Sequence, residues 1–282
     1  MNALFLTIII LGISGQGIVK KIYTEKIAGN GAYLFTALSA LFSMLFFIIT
    51  GEGFQWDAAL LPYAVAFALS YASSVLFGVL AVANGSLSLT SLMTSYSLMI
   101  PTFYGLIFLK DSMSKFFPIG IGLLAISIFL INQKNDKCRI TLKWLTLVLV
   151  SAIANGFCTT FQKMQQVAFD GAYKNEFMIL ALGIVVFVLG TVAVFTAKGE
   201  LKKQLYHARF TAVSGGIMNG VVNMLVMVVT GVMAASVVFP LISAGGIVVT
   251  YLVSKFLYKE VLSRMQFLGL ITGTLSIVFL SI

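Results

Sequence analysis

The chain has 282 residues, of which 60% are hydrophobic and 10% charged, whereas a soluble domain carries roughly 25% charged side chains to hold its surface in water. That balance excludes a soluble globular domain, and it excludes a disordered chain, which needs low hydrophobicity and high charge. The net charge of +9 is scattered through short loops and forms no basic face or domain, so nucleic acid is not an expected partner.

A helix needs about 20 apolar residues to cross the hydrocarbon core of a bilayer. By that measure the sequence predicts ten transmembrane helices, near 3–22, 31–50, 59–83, 86–109, 114–132, 142–166, 173–197, 208–230, 232–257 and 262–281. The first begins MNALFLTIII with no basic residue ahead of the apolar run. The small-residue stretch at 12–17 lacks a cleavage pattern, so this segment reads as a retained helix. The tightest turns fall at Asn84-Gly85-Ser86 and at Thr230-Gly231. Cys138 and Cys158 form no pair or metal spacing. His207, the single histidine, falls in the polar stretch 198–209 and reads as a surface residue. No catalytic residue, metal or cofactor is expected.

Ten spans put both termini on one side, called A, opposite side B. Side A carries Lys110, Lys115, Lys163 and Lys174, and the other 14 of the 18 basic residues lie on side B. Basic loops stay in the cytoplasm, so side B is expected to be cytoplasmic and both termini outside. The expected location is a bacterial inner membrane.

The two halves repeat. A shift of 149 residues brings Lys110-Asp111 onto Lys259-Glu260, Ser114 onto Ser263, Lys115 onto Arg264, Gly120 onto Gly269 and Ser127-Ile128 onto Ser276-Ile277. Gly31-Ala32-Tyr33 resembles Gly171-Ala172-Tyr173, and Lys21 pairs with Lys163 at nearly the same shift. Five helices per copy is an odd number, so the copies enter the membrane in opposite senses. The fold class read from this is all-α, with two inverted five-helix repeats at 1–137 and 138–282 forming one transport domain. Inverted repeats are the architecture of many secondary transporters.

The elements KDSMSKFFPIGIGLLAISIFLI and KEVLSRMQFLGLITGTLSIVFLSI resemble the helix-ending signature of the drug/metabolite transporter superfamily. There an acidic residue ends the fourth helix of each repeat and a glycine-bearing helix follows. Length, span number and duplication resemble its EamA-like branch. The resemblance implies metabolite transport, with export of an amino acid-like or other polar metabolite as the narrower expectation. Pro101 and Pro240 depart from the repeat, since they do not align under the 149 shift.

None of the acidic residues (Glu25, Glu52, Asp57, Asp111, Asp136, Asp170, Glu176, Glu200, Glu260) falls mid-span, which disfavours coupling through a buried carboxylate. The interior is instead polar and uncharged. Asn219 and Asn223 share a face of the eighth span and fall on Ser70 and Ser74 of the third. They either line a solute cavity or serve as interhelical hydrogen bonds, which average only about 0.6 kcal/mol. Tyr71 adds a wall, and Gln16 and Asn155 lie near mid-depth. Ser91, Thr94, Ser95 and Tyr96 form a stripe on the fourth span, with Ser243 as a thinner counterpart on the ninth. Lys21 and Lys163 end equivalent helices, either as gate or solute-attracting charges or as snorkelling lysines. Gly216/Gly220 and Gly269/Gly273 have the spacing of close helix contacts.

The sequence thus predicts a monomeric secondary transporter of a small polar metabolite in the lipid bilayer, not an enzyme. The alternatives are a flippase for a lipid-linked substrate and, below it, an intramembrane enzyme. A sensor would need a soluble domain that these loops do not hold.

Overall fold

The computed structural model describes residues 2–27, 31–51, 53–55, 57–108, 115–131, 141–197, 199–232 and 235–279. Among these the chain is helical, with no strand. The helices are α1 Asn2–Lys26, α2 Gly31–Thr50, α3 Leu61–Asn84, α4 Leu87–Ser95, α5 Met99–Phe108, α6 Phe117–Ile131, α7 Leu142–Ala168, α8 Lys174–Thr196, α9 Leu201–Val232, α10 Ala235–Leu257 and α11 Arg264–Phe279. Six of them, α1, α2, α3, α7, α8 and α9, are long and apolar enough to cross a membrane. Lys110, Asp111, Ser114 and Cys138 lie outside the described residues.

Burial is inverted relative to a soluble protein. Phe195 is 81% exposed and Phe187 76%, whereas Thr36, Ser43, Gln165, Gln266 and Ser276 are fully buried. Hydrocarbon leaves an inward polar group no water, so each needs a partner within the bundle.

Three expectations are corrected. The fourth span is not one helix: α4 gives way to a 3-10 turn, Tyr96–Leu98, before α5. Proline has no N–H and its ring clashes with the carbonyl four residues earlier, here Ser97 ahead of Pro101. Gly156 on α7 makes room for the displaced carbonyl, since a Cβ there would stand 2.6 Å from the Ser97 oxygen. α10 runs through Pro240 without such a break.

The second correction concerns 198–209, expected to be a polar loop. Helix α9 starts at Leu201, so His207 is helical and half-buried. Leu, Lys, Gln, Ala and Arg are strong helix formers, and Gln204, Ala208 and Ala212 bury one face at four-residue spacing. Third, Thr230-Gly231 is not a turn, because α9 continues to Val232.

The packing pairs have directions. α1 and α9 run antiparallel, with Gly12 against Val222 and Gly15 against Met218; α3 and α7 run antiparallel, with Ser74 beside Asn155 and Gly78 beside Ser151. α2 lies parallel to α9, where Gly216 faces the Ser39 carbonyl and Gly220 the Phe46 ring. The bundle is also tied at matching ends. Gln55 N–H donates to Glu176 at 3.3 Å at one end, and Glu260 meets Ser86 at the other.

The α6–α11 seam is reciprocal. Ser127 Oγ donates to the Gly269 carbonyl at 2.5 Å, and Ser276 Oγ donates to the Gly120 carbonyl at 2.7 Å. Exchanging the two helices by the 149 shift turns one bond into the other. Such mutual contact is what a two-fold axis through an interface produces. A Cβ on Gly269 would lie 2.9 Å from Ile131 Cγ1 and 3.2 Å from Ile131 N, whereas one on Gly122 meets nothing within 4 Å. Gly269→Val should therefore lose about 1–3 kcal/mol of stability through overpacking. Gly122→Ala should stay within about 0.5 kcal/mol of wild type. Thermal unfolding in detergent measures both, and equal stability of the two variants would refute the close seam.

Candidate functional site: a polar cavity at the centre of the bundle

Helices α1, α3, α4, α7, α9 and α10 surround a cavity of about 280 Å³. Helical spacing decides which side chains reach it. Ile13, Gln16, Gly17 and Lys20 form one face of α1; Tyr71, Ser74, Gly78 and Val82 lie along α3; Ser151, Asn155, Cys158 and Gln162 lie along α7.

Asn219 is the hub of its polar network. Its Oδ1 accepts from Ser43 Oγ at 3.1 Å, from Tyr71 OH at 3.2 Å and from Asn223 Nδ2 at 3.1 Å; its Nδ2 donates to Gln16 Oε1 at 3.3 Å. Helices α1, α2, α3 and α9 are thereby joined through one amide. Gly216 and Gly220 flank it and let α9 approach α2 closely enough for Ser43 to reach, so this pair serves packing. A second amide, Asn155, donates from Nδ2 to Ser97 Oγ at 2.8 Å and accepts from Ser74 Oγ at 3.5 Å. Ser151 Oγ closes the seam by donating to the Ser74 carbonyl at 2.8 Å.

The structure brings Asn219, Asn223, Ser74, Tyr71, Ser95, Gln16, Asn155 and Ser243 together around this cavity. Ser70 is half-buried on α3 and does not line it. Tyr96 turns away with the 3-10 segment and bonds Ser127 Oγ at 2.6 Å, in space that Gly273 leaves free. Thr94 and Ser95 line the cavity while donating to the Thr90 and Ser91 carbonyls of their own helix, a habit of hydroxyls in helices.

Neither expected charge lines the cavity. Lys163 is half-buried on α7. Lys21 Nζ lies 5.9 Å from the centre of the Tyr258 ring, within range of a cation–π contact. Burial, and then the Glu25 and Glu260 carboxylates, push the Tyr258 phenol above its ordinary value, so the ring stays neutral. The cavity receives Lys20 instead. Sequence reasoning passed over it because only Lys21 matched Lys163, although the spacing from Gln16 to Lys20 already put both on one face. Thr90, Ser97, Ser151, Cys158, Thr159, Gln162 and Thr250 are further lining residues it missed.

Below the cavity, Glu260 caps α4. Its carboxylate accepts from Leu87 N at 2.9 Å, from Ser86 Oγ at 2.7 Å and from Ser88 Oγ at 3.0 Å. A carboxylate at a helix N-terminus meets unpaired N–H groups and the positive end of the dipole. Trp144 packs over Gly85 beside this cap and donates from its indole to Thr90 Oγ1 at 3.0 Å.

No family model and no curated protein matches the chain. Among solved structures, a crystal structure described only as that of a protein is similar with a TM-score of 0.67. The likeness covers 99% of this chain and 97% of the other at 12% identity. That degree of identity shows a shared fold alone.

Two outcomes follow from the site. Asn219→Leu strands two hydroxyls and two amides, so it should cost about 1–3 kcal/mol. Asn223→Ala, which removes bonds made to its own helix neighbour, should cost less; detergent thermal unfolding ranks the two, and the reverse order would unseat Asn219 as hub. In a Cys138→Ser background, a small charged methanethiosulfonate should modify Cys158 in the folded protein. A thiol that reacts only after denaturation would mean that water does not reach the cavity.

Proposed function

We propose that this chain is a secondary transporter that carries a small polar solute through the central cavity by alternating access. The observation that carries this reading is a water-sized polar cavity enclosed by corresponding helices of two halves: the first, third and fourth spans of each. Ten crossings and an inverted five-plus-five repeat are supported by the reciprocal Ser127–Gly269 and Ser276–Gly120 bonds. They are supported also by α1–α9 and α3–α7, which exchange under the repeat and are both antiparallel. Membership of the drug/metabolite transporter superfamily, EamA-like branch, rests on the sequence signature. A bacterial inner membrane with both termini outside rests on the distribution of basic residues.

In this mechanism two near-equal packings of the halves expose the cavity in turn. Glu260 acts as a cytoplasmic latch. It belongs to the second half and holds the N-terminus of α4 in the first, so opening that end requires the bond network to break. Asp111, its partner under the repeat, lies outside the described residues. Glu260→Ala should lower stability by about 1–2 kcal/mol and speed modification of Cys158 from the cytoplasmic side. An unchanged labelling rate would remove the latch from the mechanism.

The test of transport itself is counterflow in proteoliposomes preloaded in turn with amino acids, nucleosides, sugars, organic anions and cationic drugs. At least one class should exchange. Ser91→Phe, which fills the cavity from α4, should reduce that exchange by about tenfold or more in protein that still elutes as wild type, equivalent to about 1.4 kcal/mol. Absence of exchange in every class would sink the transport reading.

A further inference from the structure

Building on the transport reading, we infer that the solute is an anion and that Lys20 is the side chain that binds its negative group. Lys20 and Lys21 are neighbours with different surroundings. At 3.6 residues per turn they point about 100° apart, and only Lys20 lines the cavity. Its Nζ lies 3.9 Å from the point that a Cβ on Gly78 would occupy, and Ser151 Oγ lies 3.1 Å from the same point. Six residues of α1 separate it from Lys26, a rise of about 9 Å, so it is not a terminal lysine reaching for headgroups.

Among the described residues Lys20 makes no ion pair or hydrogen bond, and no charged side chain acts on it. No carboxylate lines the cavity. An isolated ammonium away from bulk water is unfavourable until a countercharge arrives, and an intramembrane ionisable group marks a functional site by default.

The hydrogen-bond inventory points the same way. The side-chain oxygens of Asn219, Asn155 and Gln16 already accept from protein donors. Gln16 Nε2, one turn from Lys20, has no partner among the described residues. Gln162 Nε2 is buried without a partner at the cavity wall, and the Ser39 hydroxyl, 5% exposed, is unpartnered in a small recess shared with Lys20 and Gln16. An ammonium and free amide N–H groups, with no opposing carboxylate, select a carboxylate or phosphate and repel a cation. The oxyanion can belong to a soluble metabolite or to a lipid headgroup, which present the same chemistry to Lys20.

The experiment is thermal unfolding of the full chain in neutral detergent, as wild type, Lys20→Met and Lys20→Arg. The probes are lactate beside lactamide, succinate beside succinamide, inorganic phosphate beside choline, and phosphatidylglycerol beside phosphatidylcholine in nanodiscs. At least one anionic probe should stabilise wild type while its uncharged or cationic counterpart does not. Lys20→Met should weaken half-saturation by about tenfold or more, and Lys20→Arg should retain part of the effect. Without any probe, Lys20→Met should unfold no earlier than wild type, because it removes an unpaired charge.

A shift with a soluble anion identifies a metabolite, and one with phosphatidylglycerol alone identifies a headgroup; either supports the anion site. The inference is overturned if no anionic probe shifts wild type, if amides or choline shift it equally, or if Lys20→Met keeps the shift. Counterflow of a neutral or cationic solute that survives Lys20→Met would also overturn it while leaving transport intact. An anion-dependent shift in a protein that exchanges nothing would instead retain the anion site and remove the transport reading.

Discussion

Polar groups turned inward from an apolar exterior have only one another to bond, and that constraint shapes the whole bundle. Ser127, Ser276, Asn155 and Asn219 each bond to a helix distant in sequence. Hydrophobic burial contributes little between helices whose outer faces already meet an apolar solvent. Close approach through Gly216, Gly220, Gly156 and Gly269 therefore matters more here than bulk.

The same constraint explains why the centre stays polar and hollow. Asn219 unites four helices while satisfying its own oxygen, which fixes the cavity wall without filling the cavity. Thr94 and Ser95 satisfy their hydroxyls on their own helix and are left facing the space as a soft polar surface. Against this nearly neutral lining, the single ammonium of Lys20 is the strongest feature a solute would meet.

The ends of the bundle are organised by helix termini. Pro101 interrupts the fourth span and leaves α4 as a nine-residue helix, whose N-terminus then needs a cap. Glu260 supplies it from the far half of the chain. The acidic residue of the repeated signature thus has a visible physical task in this structure: it compensates a helix dipole and joins the turn after α3 to the turn after α10.

The sequence by itself determined that the chain is all helical, with long apolar helices, because spans of about 20 apolar residues leave the backbone no other way to satisfy its hydrogen bonds. It also determined that Asn219 and Asn223 share a face, since a four-residue spacing fixes direction. Tertiary structure decided the rest. Whether Tyr96 faces the cavity depended on a 3-10 turn set by a proline five residues on. Whether Lys20 or Lys21 meets the cavity depended on the rotation of α1 against α3 and α9, which periodicity alone leaves free. The lining contributed by Cys158 and Gln162 likewise followed from the α3–α7 register, a contact between segments some eighty residues apart that no local pattern records.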